Sequence, residues 1–217
     1  SQREPNQVGE AGGESEAPQR RNERPTSPQL RGFVDQHRNC CSLIQSNYFG
    51  FGSQVTPGDL GFALQNRGAL FALDENPLNR LEPHKRPFHT IIPAFVTKDD
   101  KPWFCFGVMG GDMQPQGHAQ VLVNIIDHGM NVQAASDAAR VRHDGSDTPT
   151  GDIMSDGGRL IVESGVSDAA VEELKKRGHN VSRGGAGGGY QAIRIDYETG
   201  LLHGGSEARK DGAAIGY

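Results

Sequence analysis

Residues 107–130, GVMGGDMQPQGHAQVLVNIIDHGM, contain the turn on which the fold depends, because an apolar strand, WFCFGVM, meets two glycines there and then a helical pattern. Gly110 and Gly111 have no Cβ, so two consecutive backbone N–H groups can point at one ligand oxygen. Such a donor pair is typical of an oxyanion hole. A tight turn between strand and helix is the alternative, because glycine pairs commonly serve turns.

Apolar residues after the glycine pair recur at helical spacing and predict a helix that ends near Gly129. Asn131 is in position to cap a second helix over about 132–140, and Ser167 to cap a third. Asp112 is expected to cap the first helix or to orient the turn. The apolar stripe of that first helix is predicted to consist of Ala119, Leu122, Val123, Ile126 and Met130, widened by Val121 and Ile125.

Short apolar runs separated by turn residues predict antiparallel hairpins. The predicted strands lie near 33–35, 40–47, 62–65, 91–96, 102–109, 159–164, 190–197 and 201–207. Antiparallel strands combined with paired helices indicate an α+β layered fold.

The 217 residues are 35% hydrophobic, which is enough for one sizeable core and favours one domain with a tail. Residues 1–32 are rich in charge, Gly and Pro, so we expect this tail to be disordered and the domain to span 33–217. The net charge of -5, without a long basic run, argues against a nucleic-acid partner. No long apolar stretch or signal segment is present in this sequence, which favours a cytoplasmic protein without a membrane partner.

Cofactor and metal sites are not predicted. The three cysteines form neither a CxxC pattern nor a disulfide framework and are expected to be inert. The histidines lack metal-site spacing. The run Gly184–Gly189 is expected to be flexible, and it resembles a phosphate loop only superficially, because no GK[ST] follows it.

Several stretches together resemble the γ-glutamyltransferase-like family of the N-terminal-nucleophile hydrolases. The matching pieces are SNYFGFGS at 46–53, HKRPFHTIIPAFV at 84–96, residues 107–135, LIVESG at 160–165 and ARKDGAAIGY at 208–217. The resemblance implies half of a four-layer αββα sandwich, formed by the small C-terminal subunit of a self-cleaving proenzyme. It also implies a large subunit as partner, and a γ-glutamyl or related acyl amide such as glutathione as substrate.

In this family a threonine at the new N-terminus attacks the amide, forms an acyl-enzyme and uses its own α-amine as base. The resemblance assigns the oxyanion hole to Gly110 and Gly111. The threonine would lie seven residues before Asp35, where this chain has Pro28, which supplies no hydroxyl. Thr26 is the nearest threonine and the candidate nucleophile, with an ordinary solvated residue as the alternative.

The resemblance also indicates substrate-binding positions. His89 and Thr90 replace a pair of serines, and a hydrophobic residue near Leu70 replaces an aspartate that binds the substrate α-amine. These variants are more similar to the acylase-like branch than to true transpeptidases. Arg67 can hold a carboxylate bidentately or serve as a structural arginine, and His89 can line the pocket or be structural.

Ser46 and Asn47 occupy positions where the family lines the nucleophile with polar groups, although a loop-capping role is equally possible. Two hypotheses follow from the sequence. The chain is either part of an active amidohydrolase or a non-catalytic remnant of the same fold that acts as a binding or scaffold module, because one fold can host both.

Overall fold

A computed structural model describes residues 29–73 and 78–216. The strands are β1 (Gln29–Val34), β2 (Cys40–Gln45), β3 (Ala94–Lys98), β4 (Lys101–Met109), β5 (Val141–Asp144), β6 (Arg159–Val162), β7 (Val181–Arg183), β8 (Gly189–Ile195) and β9 (Leu202–Ser206). The helices are α1 (Met113–Ile126), α2 (Val132–Asp137), α3 (Asp168–Lys176) and a 3-10 turn, Arg67–Leu70. This mixture confirms the α+β class. Within the two described ranges, no helix has the length and apolar character needed to cross a membrane.

The strands form three sheets. A four-stranded antiparallel sheet has the order β3-β4-β8-β9, and β1 and β2 form a separate antiparallel pair. In the third sheet β5 pairs with β6 antiparallel and β6 with β7 parallel. The three predicted hairpins are therefore confirmed. Strands β5 and β7 were not predicted, because four and three residues are too few to show a clear period.

The core lies between β4 and α1. Phe104 and Phe106 of β4 stack with ring centres 4.6 Å apart, and Val108 packs directly under Gly117 of α1. The buried residues of α1 are Met113, Gln114, Gly117, Val121 and Ile125. The predicted stripe was wrong in part, since Ile126 is 58% exposed. Gly117 decides which face of the helix packs, because it allows close approach to the strand.

The pair β1–β2 contacts the other side of the four-stranded sheet. Leu30 is buried and lies over Gly107, where a Cβ would be 2.8 Å from the Leu30 Cδ2 atom. Ser42 donates to the Phe106 carbonyl at 3.0 Å. Residues 29–32 are therefore strand, and the predicted boundary of the disordered tail at Gly32 was wrong. One buried leucine and pairing with β2 order these residues despite their polar neighbours. Residues 1–28 lie outside the described ranges.

Two of the predicted helix caps are confirmed. Asn131 accepts a hydrogen bond from the Ala134 N–H at 2.8 Å, and Ser167 accepts one from the Ala170 N–H at 3.2 Å. Asp112 stands at the N-cap position of α1 but makes no side-chain capping bond. The predicted strand at 62–65 was wrong, because that segment forms a loop.

Candidate active site

The glycine pair lies between β4 and α1, at the end of a buried strand. Gly110 has a φ of 127° and Gly111 a φ of 60°, values that residues with a Cβ adopt only under strain. A Cβ at Gly110 would lie 2.9 Å from the Gly188 Cα. Both backbone conformation and space therefore restrict position 110 to glycine.

The carbonyl groups of this pair accept hydrogen bonds, whereas its N–H groups donate none within the described ranges. The Gly110 carbonyl accepts from the Met113 N–H at 3.2 Å, and the Gly111 carbonyl accepts from the Gln114 N–H at 3.0 Å. Among residues 29–73 and 78–216, no hydrogen bond has the N–H of Gly110 or Gly111 as its donor. Nothing lies within 4 Å of the point where a Cβ of Gly111 would stand. As far as the described residues go, both N–H groups can donate to an external acceptor.

A chain of hydrogen bonds links the glycine pair to Arg67. Gln114 of α1 donates through its side-chain amide to the Gly111 carbonyl at 3.2 Å and to the Thr90 carbonyl at 2.6 Å. Arg67 donates from Nε to the Thr90 Oγ1 at 2.8 Å and from Nη1 to the Ser46 carbonyl at 3.0 Å. Four separate segments of the sequence therefore meet at one place, which we call the Arg67 network.

Arg67 is a buried cation that has no compensating anion among the described residues. Arg67 is the first residue of the 3-10 turn, and it is only 5% exposed. No carboxylate in the described part of the chain forms an ion pair with it, and its Nη2 atom is buried without a hydrogen-bond partner there. Burial lowers the pKa of the guanidinium. The ring of Tyr48 has its centre 5.9 Å from the Arg67 Cζ atom, and burial raises the pKa of its phenol, so Tyr48 is neutral at pH 7.

The N-terminal end of β1 approaches the same network. Gln29 pairs with Gln45 in the antiparallel register, so the first described residue lies opposite the residue before Ser46. Thr26 and Pro28, the candidate nucleophile and the position where the family has its threonine, lie outside the described residues. The structure therefore locates the strand that follows the candidate nucleophile but not the nucleophile itself.

The other predicted binding residues fall into two groups, those that meet at the Arg67 network and those whose side chains stabilise local turns. The Ser46 Oγ accepts from the Tyr48 N–H at 3.0 Å, and the Asn47 carbonyl accepts from the Asn66 N–H at 3.1 Å. His89 is exposed, and its Nδ1 accepts from the Ile91 N–H at 3.2 Å. Arg67, Thr90 and the Ser46 backbone thus converge, whereas the Ser46 and His89 side chains stabilise local turns.

Sequence reasoning missed Gln114, although it joins Thr90 to the glycine turn. No signal marked it, because a glutamine in the first turn of a helix is common on exposed faces. Gln114 is 7% exposed, and its amide must therefore find partners inside the protein.

A buried ion cluster near the C-terminal end was also missed. Arg140 and Glu207 are almost fully buried, and the Arg140 Nη2 atom lies 2.6 Å from the Glu207 Oε2 atom. Arg209 forms ion pairs with both Glu207 and Glu163. Burial alone would raise the pKa of Glu163, but hydrogen bonds from Arg209 and from the Arg140 N–H lower it overall. This cluster holds the end of β9 against β6 and α2. The only hint in the sequence was the segment ARKDGAAIGY at 208–217, which contains Arg209 and matches the family.

Two other reactive side chains, His118 and Cys105, have structural roles. His118 accepts from the Val108 N–H at 2.9 Å, and burial lowers its pKa. Cys105 is buried, which raises the pKa of its thiol to about 11. Within the described ranges no group of His, Cys, Asp or Glu is arranged to hold a metal ion. The run Gly184–Gly189 is packed at Ala186, Gly188 and Gly189, which are buried, whereas Gly184 and Gly185 are exposed.

Known proteins are similar to this chain over most of its length. A family model described as Gamma-glutamyltranspeptidase matches residues 7–217. The glutathione hydrolase-like YwrD proenzyme of Bacillus subtilis (strain 168) is 42% identical over 190 residues, which cover 84% of this chain and 34% of that protein. The chain therefore spans about a third of the length of this relative.

Solved structures share the fold. The cephalosporin acylase from Bacillus halodurans has a TM-score of 0.69 at 45% identity, over 82% of this chain and 32% of that one. The gamma-glutamyltranspeptidase from Pseudomonas nitroreducens has a TM-score of 0.74 at 24% identity, over 88% of this chain and 100% of that one. With a family model that matches nearly the whole sequence, the chain belongs to the gamma-glutamyltranspeptidase family.

Proposed function

We propose that this chain is the small, C-terminal part of an amidohydrolase of the acylase-like branch that acts on γ-glutamyl or related acyl amides. The observation that carries the proposal is the pair of N–H groups at Gly110 and Gly111, which donate to no acceptor within residues 29–73 and 78–216 and lie next to the buried Arg67 network. A donor pair held by a buried strand is already in position before the reaction, so it stabilises developing charge without reorganisation.

The reaction has two half-reactions. A hydroxyl oxygen N-terminal to β1 attacks the substrate carbonyl carbon, its proton passes to the adjacent α-amine, and the carbonyl oxygen becomes an oxyanion held by the Gly110 and Gly111 N–H groups. The C–N bond then breaks and the leaving amine takes the proton. Water attacks the acyl-enzyme in the same way, so that the acid is released and the hydroxyl is restored.

The size of the match supports a small-subunit assignment. The chain covers about a third of a relative named as a proenzyme but the whole length of a separate chain in one solved structure. The outer face of β1–β2 exposes Phe33 (50%) and Leu43 (44%), which an additional layer can bury. A large subunit that packs on this face gives the four-layer αββα sandwich.

A non-catalytic role is the second candidate, and one observation favours it. Pro28 occupies the position where the resemblance expects the nucleophile, and proline has no hydroxyl. In that case the Arg67 network is a binding site of a protein that has lost the reaction.

Intact-mass measurement separates the two candidates. The full-length protein is incubated with an electrophilic glutamine analogue, and the adduct is located by peptide mapping, with heat-denatured protein as control. We expect one analogue per molecule on Thr26 or Ser27. A folded protein that gains no mass would support the non-catalytic role and refute the amidohydrolase.

A further inference from the structure

The side-chain amide of Gln114 is oriented by two carbonyl groups. Its Nε2 atom donates to the Thr90 carbonyl at 2.6 Å and to the Gly111 carbonyl at 3.2 Å. Carbonyl oxygens only accept, so the NH2 side of the amide must face them, and both of its hydrogens are used. Because Gln114 is buried, water cannot easily replace these partners, and losing them would be costly. The side chain therefore joins the glycine turn firmly to the segment before β3.

The two glycines of the turn are held in different ways. Gly110 is held by packing, because its backbone lies against that of Gly188. Gly111 is exposed, and no described atom lies within 4 Å of the point where its Cβ would stand. Its φ of 60° is one of many conformations open to a glycine. The direction of the Gly111 backbone thus depends on hydrogen bonds rather than on packing.

Gln114 supplies two of the hydrogen bonds that hold Gly111. The Gly111 carbonyl accepts from the Gln114 backbone N–H at 3.0 Å and from the side-chain amide at 3.2 Å. The first of these bonds belongs to the start of a helix, where bonds fray easily. The second connects the turn to Thr90, which lies outside the helix. Since a peptide group is planar, a fixed carbonyl at Gly111 also restricts the rotation of the peptide groups on either side of it.

We infer that Gln114 is a positioning residue of the oxyanion hole, because its amide ties the Gly111 carbonyl to Thr90 and thereby sets the direction of the Gly111 N–H. This inference rests on the proposed amidohydrolase function of the same turn. Gln114 acts through the backbone of Gly111. A donor that is already aimed before the reaction stabilises the oxyanion without reorganisation, and such donors depend on supporting hydrogen bonds behind them.

Gln120 of the same helix is a matched comparison. Its side-chain amide donates to the Val141 carbonyl at 2.8 Å and accepts from the Val141 N–H at 2.9 Å, so it binds β5 rather than the glycine turn. Gln116 makes the same pair of contacts with the backbone of His143. These contacts keep α1 attached to β5 when Gln114 is changed, so the effect of that change should remain at the turn.

The rate of covalent labelling by the electrophilic glutamine analogue tests the inference with the full-length protein. Intact-mass measurements over a range of analogue concentrations separate the maximal labelling rate from the half-saturating concentration. In Gln114→Met, which nearly keeps the side-chain volume but removes both donors, the maximal rate should fall by about 10–100-fold with a nearly unchanged half-saturating concentration. Gln120→Met should keep the maximal rate of the unmodified protein.

Gln114→Glu adds a readout that a merely structural role would not move. When ionised, the new carboxylate cannot donate and repels the two carbonyl oxygens, whereas the protonated carboxyl donates one hydrogen bond. The labelling rate of this variant, divided by that of the unmodified protein, should therefore rise by about 2–10-fold from pH 8 to pH 5, the value of one hydrogen bond. The same ratio for Gln114→Met should stay level. The neighbouring ionisable groups, Arg67, Asp112 and His118, are present in all three proteins, so the ratio cancels their titration.

Equal maximal rates for a folded Gln114→Met variant and the unmodified protein would overturn the inference and leave the amidohydrolase intact. An equal loss in Gln120→Met would overturn it as well, since loosening of α1 would then explain both results. If Gln114→Met does not fold, the pH profile of Gln114→Glu decides the question, and a level profile refutes the positioning role. An unmodified protein that gains no mass would overturn the proposed function and the inference with it.

Discussion

Replacing Gly110 with alanine should destabilise the full-length protein much more than the same change at Gly111. At Gly110 the φ of 127° lies outside the conformations that alanine adopts easily, which costs about 1–3 kcal/mol. The new methyl group would also stand 2.9 Å from the Gly188 Cα, a backbone atom that cannot rotate away, and overpacking of this kind costs about 1–3 kcal/mol. The expected loss in the free energy of unfolding is therefore about 2–6 kcal/mol.

Gly111→Ala is the matched control. Its φ of 60° is left-handed helical and no atom lies within 4 Å of the added methyl group, so the loss should be about 1–2 kcal/mol. Urea unfolding followed by circular dichroism measures both. The adduct-forming rate of folded Gly110→Ala should also fall by about 100-fold or more, because displacement of the turn misaligns a donor. Equal destabilisation by the two variants would refute the close contact between Gly110 and Gly188.

Three further predictions concern the scaffold. Leu30→Ala should cost about 2–4 kcal/mol in urea unfolding, since Leu30 is buried over Gly107; a loss below about 1 kcal/mol would mean that β1 does not pack there. Asn131→Ala should cost about 1 kcal/mol through loss of the α2 cap, with Asn124→Ala inside α1 as a comparison, and an unchanged midpoint would contradict the cap. Glu163 has a folded pKa below its ordinary value of 4.5, so its contribution is present above that pH and is lost as the pH falls below it. Unfolding measured between pH 6 and 3 should therefore lose less stability in Glu163→Gln than in the unmodified protein, and parallel curves would refute this.

The elements with long periodic patterns could be predicted from the sequence. The apolar run of β4, the helical spacing of α1 and the caps Asn131 and Ser167 each depend on local chemistry, and the structure confirms them. The position of the glycine pair between strand and helix followed from the same patterns.

The predictions that were wrong concerned features that depend on contacts between distant segments of the chain. Residues 29–32 looked too polar to fold, but pairing with β2 and the packing of Leu30 order them. The buried face of α1 was set by Gly117 against Val108 rather than by the more hydrophobic side. The packing of the loop at 184–189 could not be predicted either, because it depends on the approach of Gly110 to Gly188.

The candidate site was predicted as a set of residues but not as an arrangement. Arg67 and Thr90 do meet, through a hydrogen bond across 23 positions of sequence. Gln114, which completes the connection to Gly111, carried no signal, because the partners of a buried amide are decided only when the chain folds. For His89 the sequence left a pocket role and a structural role open, and the structure shows its ring accepting from the Ile91 N–H at the surface.

The oxyanion role of the glycine pair can be seen in a crystal structure of the full-length protein with the electrophilic glutamine analogue bound covalently. The oxygen of the analogue's former carbonyl should lie about 2.7–3.1 Å from the backbone nitrogens of Gly110 and Gly111. An adduct oxygen out of reach of both amides, with those amides donating to protein carbonyls instead, would contradict it.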